Sequence, residues 1–192
     1  MIPILILAAG ASSRMGRDKL LLDIDGQPML RRMVDIAASV GPVFTTLPPR
    51  PHDRYGALTG ASCIQVPVGQ TGFAASLRHG IAALPAQADG VLILPADMPD
   101  ITADDLRAVI KASADHPECH IWRATTEGGK PGHPVLFDAS MFDLFAALFG
   151  DTGGAEIIRN YPELTFNVPL NGNRARRDID TPEDWQDWLR NR

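Results

Sequence analysis

The residues best equipped for chemistry stand together near the start of the chain, in the stretch LAAGASSRMGRDKLL from Leu7 to Leu21. Gly10 and Gly16 free the backbone to turn its N–H groups toward an anion, and Ser12 and Ser13 add small hydroxyl donors. Arg14 and Lys19, five positions apart, supply the fixed positive charge that a polyphosphate needs. The apolar run Ile2 to Ala9 reads as a buried strand, which puts this loop at the carboxyl edge of a sheet, where open α/β folds bind ligands. Two commoner phosphate loops are excluded. A G-x-x-x-x-G-K-[ST] loop needs its lysine directly after the second glycine, whereas Gly16 is followed by Arg17, Asp18 and only then Lys19. A G-x-G-x-x-G fingerprint fails at once, because Gly10 is followed by Ala11 and Ser12.

A second chemical signal lies in LILPADMPDI, Leu92 to Ile101, where Asp97 falls just past a strand. A carboxylate there is costly to desolvate unless a cation meets it. Mg²⁺ binds through one or two carboxylates, with substrate phosphates and water completing its shell, so a single well-placed Asp suffices. Pro99 stiffens the turn, and Asp100 is expected to be a solvated turn residue. Near the C-terminus, Asp178 and Asp180 alternate along an extended segment and therefore point to opposite sides.

The elements that must position these residues follow from hydropathy patterning. Short apolar runs alternate with amphipathic segments, the pattern of a parallel sheet covered by helices on both faces. Strands are expected at Pro3–Ala8, Pro42–Leu47, Ser62–Val66, Val91–Pro95, Cys119–Ala124, Pro134–Phe137 and Thr165–Val168. Helical stripes run through Leu30, Met33, Val34, Ala37 and Ala38; through Phe73, Leu77, Ile81 and Leu84; and through Met141, Leu144, Phe145 and Leu148. Thr102 with Asp105, and Thr181 with Pro182 and Asp184, mark two helix starts. The final helix should pack Trp185, Trp188 and Leu189 on the sheet. Leu47 to Gly60 and Glu127 to Gly132 read as irregular connections.

Bulk properties limit the function classes. At 192 residues the chain is most simply one domain, and 45% hydrophobic with 21% charged residues is an ordinary globular composition. A net charge of −5 gives no footprint for nucleic acid, so polyphosphate binding must rest on a few local cations and a metal ion. The first apolar run is too short to span a membrane and lacks a basic flank, and no other stretch is apolar enough to cross one. Cys63 and Cys119, with no zinc spacing around them, read as reduced thiols and point to the cytoplasm.

The first loop resembles the signature L-A-[AG]-G-x-[SG]-x-R-[ML]-G-x-x-K of nucleotidyltransferases, matched at Leu7, Ala8, Ala9, Gly10, Ser12, Arg14, Met15, Gly16 and Lys19. Asp97-Met98-Pro99 resembles the metal-binding D-x-P of the MobA/MocA molybdenum-cofactor group, and Asp178-Ile179-Asp180-Thr181-Pro182-Glu183-Asp184 its C-terminal segment. Gly72, Ser76 and Gly80 match a helix start that contacts base and ribose in relatives, and GHPVLF, Gly132 to Phe137, resembles an acceptor-side segment.

The resemblance implies a single Rossmann-like three-layer α/β/α domain over residues 1–192 with a mostly parallel sheet. Its nucleotide-binding part would span about 1–100 and its acceptor-binding part about 101–192. It implies Arg14, Lys19 and Asp97 as catalytic residues and Mg²⁺ on Asp97 and Asp180. Leu7, Ala8, Ala9, Gly10, Ser12, Ser13, Arg14, Lys19, Gly72 and Ser76 would bind the nucleotide, and His133, Asp151 and Asp178 the acceptor. Ala9 stands where the guanylyl-transferring branch usually has Gly, so the resemblance favours CTP over GTP, with adenylyl transfer also open. The implied acceptor is molybdopterin in its molybdenum-bearing form, and the implied recipient a molybdoenzyme or its chaperone.

One departure concerns that acceptor. Where relatives read G-D-x-G-A-R, this chain has Ala155 in place of the arginine, with Arg159 or Arg174 as candidate replacements. Two other functions remain open: a sugar- or polyol-phosphate nucleotidyltransferase, and a non-catalytic module that binds a nucleotide and delivers cofactor.

Overall fold

The structure, a computed structural model, describes residues 1–70, 72–148 and 153–192. Seven of its strands form one sheet: β1 (Ile4–Leu7), β4 (Val43–Leu47), β5 (Cys63–Gln65), β6 (Gly90–Pro95), β7 (Ile121–Thr125), β8 (Pro131–Asp138) and β9 (Thr165–Pro169). They correspond one for one to the strands expected from the hydropathy pattern. The order across the sheet is β5-β4-β1-β6-β8-β7-β9. The first four are mutually parallel, β8 runs antiparallel to both β6 and β7, and β9 is parallel to β7. A small hairpin of β2 (Asp23–Ile24) and β3 (Gln27–Pro28) stands apart from this sheet. It is too short for a periodic signal and was not anticipated.

The helices are α1 (Met29–Ala38), α2 (Arg54–Ala57), α3 (Phe73–Ala82), α4 (Ala103–Asp115), α5 (Phe142–Ala146), α6 (Gly154–Asn160) and α7 (Pro182–Asn191). Side-chain alternation along the central strands explains the three layers. Ile4 and Ile6 of β1, with Leu92 and Leu94 of β6, pack on the face carrying Met33 of α1, Leu106 of α4 and Trp185 of α7. Leu5 and Leu7, with Val91 and Ile93, pack on the other face against Leu77 of α3, Phe145 of α5 and Ile157 of α6. Strands buried on both faces read as unbroken apolar runs, which is why β1 and β6 were legible.

Three expectations need correction. Leu47 to Gly60 is not wholly irregular, since it contains α2, whose Arg54 is buried. Asp100 is not a solvated turn residue: it accepts a hydrogen bond from Trp188 Nε1 at 2.6 Å and pairs with Arg177 at 3.4 Å. Leu189 is exposed while its neighbours Trp185 and Trp188 are buried, because α7 presents only one stripe to the sheet. Among the described residues, no helix is long and apolar enough to cross a membrane.

Candidate active site

The loop after β1 is a chain of tight turns. Ser12 adopts φ 52°, Ser13–Met15 form one 3₁₀ turn, and Gly16 closes it at φ 68°, a left-handed conformation that costs glycine nothing. Met15 is buried beneath, which anchors the loop and turns Ser13 and Arg14 outward. A second 3₁₀ turn, Lys19–Leu21, begins at Asp18, whose Oδ1 accepts from the Leu20 N–H at 3.1 Å. That cap aims Lys19 inward.

The other two segments are tied to the same strand end. The Ala96 N–H donates to Leu7 O at 3.1 Å, which sets Asp97 beside the loop. The Ile179 N–H then donates to Asp97 O at 3.0 Å, which docks the C-terminal segment on the first carboxylate. Buried Ile179 fixes that segment, so Asp178 and Asp180 diverge as alternation requires. Asp180 is further held by its own N–H, which donates to Asp184 Oδ2 at 3.1 Å within the capping box of α7.

These constraints converge on one ammonium group. Lys19 Nζ lies 2.6 Å from Asp97 Oδ2 and 2.7 Å from Asp180 Oδ1, and Arg14 Nη2 lies 2.8 Å from Asp180 Oδ2. Burial alone would lower the Lys19 pKa, but the charges and hydrogen bonds of Asp97 and Asp180 outweigh it and hold it above its usual value. Two cations and two carboxylates thus neutralise one another. The cleft above them, about 280 Å³, is lined by the loop from Leu7 to Arg14, by Lys19, by Gly72, Phe73 and Ser76 at the N-terminal turn of α3, and by Asp97 and Asp180. The positive end of α3 opens on this cleft. Every expected nucleotide and metal residue is among these.

Asp97 lies at a seam. A second cleft of about 340 Å³ shares Phe73, Pro95 and Asp97 with the first and adds Arg123, His133, Arg176 and Asp178. Burial foremost, and then the Arg123 charge, push the His133 pKa down to about 4, so its ring is neutral at physiological pH. Its Nδ1 is buried without a partner among the described residues. Asp178 is raised above the usual carboxylate range, first by desolvation and then by Asp97 and Asp180. A third cleft of about 310 Å³ opens from the other side of the loop, between Ala9–Ala11, Pro48, His52 and Pro67. Asp151 lies outside the described residues.

Residues not anticipated from the sequence complete the site. Arg54, only 1% exposed, sits behind the loop. It donates to Asp18 through Nε at 2.7 Å and Nη2 at 2.8 Å, to Ala8 O at 2.6 Å and to Ser12 Oγ at 3.2 Å. Nothing in its proline-rich surroundings marks it, because its partners are distant in sequence. Arg123 did carry a signal, as a lone charge within an apolar strand. Neither suggested replacement for the missing arginine lines the second cleft. Arg174 pairs with Asp105 at 3.4 Å on another face, and Arg159 is exposed on α6.

Sheet order, a glycine-rich loop on the central strand and a cation-bridged carboxylate pair between two clefts are the arrangement of an α/β nucleotide-binding fold with room for a second ligand. Residues 4–165 match the MobA-like NTP transferase domain, and the chain belongs to that family. It is 35% identical over 130 residues to the probable molybdenum cofactor guanylyltransferase of Synechococcus elongatus, covering 65% of this chain and 66% of that protein. It is 34% identical over 104 residues to the protein of the same name from Trichormus variabilis, covering 54% of this chain and 49% of that one. The alignments thus span about half of one relative and about two thirds of the other. The fold superimposes on the crystal structure of Rv0371c from Mycobacterium tuberculosis with TM-score 0.85, 28% identity and 98% of each chain covered. A second structure of Rv0371c, described as a complex with manganese, gives TM-score 0.81 at 25% identity over 98% of each chain.

Proposed function

We propose that the chain transfers CMP from CTP to the phosphate of molybdopterin, in its molybdenum-bearing form, and releases pyrophosphate. The observation that carries this reading is Lys19 Nζ held between Asp97 and Asp180 at the seam of two clefts. The first cleft suits a triphosphate, and the second an acceptor brought up to its α-phosphorus.

In the reaction, an acceptor phosphate oxygen attacks the α-phosphorus, a new P–O bond forms, and the bond to the bridging oxygen breaks as pyrophosphate departs. A phosphate monoester is largely ionised near neutral pH, so no strong base is needed. Catalysis is positioning and charge neutralisation. Arg14 and Lys19 leave their carboxylates for the triphosphate oxygens. Asp97 and Asp180, two hard oxygen donors set around one cation-sized position, fit Mg²⁺ and would hold it. Bound there, Mg²⁺ supplies Lewis-acid stabilisation of phosphoryl charge. Neutral His133 and Asp178 orient the acceptor.

We assign the base to the third cleft, which Ala9 lines: it stands where the guanylyl-transferring branch usually has Gly, and the added methyl would favour the smaller pyrimidine. A guanylyl transfer is the second reading, favoured by the names of the Synechococcus elongatus and Trichormus variabilis relatives. Pyrophosphate release with Mg²⁺, molybdenum cofactor and each of CTP, GTP and ATP decides between them. Release with CTP alone supports the first, GTP preference the second. Tight nucleotide binding with no release from any of the three refutes the acceptor.

A further inference from the structure

The second cleft contains a like-charge pair that the mechanism above does not use. Arg123, half-buried at the centre of β7, donates from Nε to Gly132 O at 3.3 Å. Arg176 donates from Nη1 to Pro131 O at 3.1 Å. Adjacent carbonyls at the start of β8 therefore hold both guanidinium groups. The close approach has a steric cause at Gly132: a Cβ there would lie 1.8 Å from the Ala175 carbonyl oxygen, so only glycine lets the Arg174–Arg176 turn dock against the strand.

Docking brings two cations together. Burial first, and Arg176 second, lower the pKa of Arg123. Elsewhere the chain compensates such groups: Arg14, Arg54, Arg174 and Arg177 each pair with an aspartate. Among the described residues, neither Arg123 nor Arg176 has a carboxylate in ion-pair contact. Asp178 lines the same cleft but is influenced by Asp97, Asp180 and Lys19 rather than by the arginines. A half-buried guanidinium beside an exposed one, both anchored by backbone and open to a cleft, awaits an anion.

We propose that Arg123 and Arg176 together bind the phosphate monoester of the acceptor, beside Asp97 in the second cleft. Each guanidinium has N–H donors left over after its single backbone bond, enough for a forked grip on a phosphate. The site selects acceptors that carry a dianionic phosphate against those that offer only a hydroxyl or carboxylate. Arg123 also lines a small cavity with Ala155, the position of the missing arginine. The inference rests on the second cleft being the acceptor side, but not on the acceptor being a pterin.

The test fills the first cleft with a non-hydrolysable α,β-methylene NTP and Mg²⁺, then titrates inorganic phosphate by calorimetry. Arg123→Gln and Arg176→Gln should each weaken phosphate binding about tenfold or more. Arg123→Lys should recover part of the loss, and affinity for the analogue should stay within about threefold throughout. Arg176 is exposed, so its variant keeps the test open if Arg123→Gln fails to fold. Equal phosphate affinity in wild type and Arg176→Gln overturns the proposal, as does failure of the NTP-loaded wild type to bind phosphate. Phosphate binding that depends on the arginines, in an enzyme that does not turn over molybdenum cofactor, supports the anion site while refuting the pterin acceptor.

Discussion

Arg54 and Asp18 give a prediction in which the two halves of one ion pair behave unequally. Arg54 is buried to 1% exposure, whereas the Asp18 side chain keeps 21%. Asp18→Asn leaves a fully buried guanidinium with a neutral partner, and uncompensated buried charge costs about 3–5 kcal/mol. Arg54→Met leaves a carboxylate that water can reach and removes the donor to Ala8 O, a buried acceptor whose loss costs about 1–3 kcal/mol. For a chain of this size each kcal/mol lowers the melting midpoint by about 2–4 °C. Asp18→Asn should therefore melt about 6–20 °C lower than wild type, and Arg54→Met about 2–12 °C lower. The double variant should be more stable than Asp18→Asn alone, because no buried charge remains unpaired. Denaturant titration and calorimetry of the four proteins close the cycle. Additive losses, or a greater loss from Arg54→Met than from Asp18→Asn, would refute the account of Arg54 as the buried anchor of the phosphate loop.

Three further outcomes follow from the same geometry. Asp97→Ala should reduce turnover by about 10² or more while changing nucleotide affinity far less, measured by pyrophosphate release beside calorimetric titration; unchanged turnover sinks the metal assignment. Because Lys19 neutralises both carboxylates in the free protein, Lys19→Gln should tighten Mn²⁺ binding several-fold without nucleotide, which electron paramagnetic resonance reads directly; weaker Mn²⁺ binding would show that the lysine is not its competitor. His133 titrates at about 4 in the fold against 6.5 unfolded, so the unfolded chain binds more protons between these values. Stability should rise by up to about 3 kcal/mol from pH 4 to 6.5 through this residue, and His133→Asn should flatten that slope in urea midpoints; an unchanged slope would mean that the ring is not buried neutral.

The Gly10–Lys19 loop, Asp97 and the Asp178–Asp180 segment were legible because their chemistry is local: glycine conformations, capping residues and apolar runs act over a few neighbours in sequence. The same holds for β1 and β6, whose burial on both faces leaves unbroken apolar stretches, and for the capping boxes that start α4 and α7. The β2–β3 hairpin is too short for any period to register, and α2 is one turn in a proline-rich segment. The direction of β8 depends on its antiparallel pairing with β6 and β7, which no local pattern encodes. Sequence alternation said that Asp178 and Asp180 diverge, but only the Ile179–Asp97 hydrogen bond decided which faces Lys19. Likewise Arg54 meets Asp18, and Arg123 meets Arg176, across long stretches of chain. The sequence by itself determined which residue types could bind phosphate and metal. The tertiary structure alone decided which of them meet, since long-range electrostatics depends on distances that only the packed sheet and its crossing segments set.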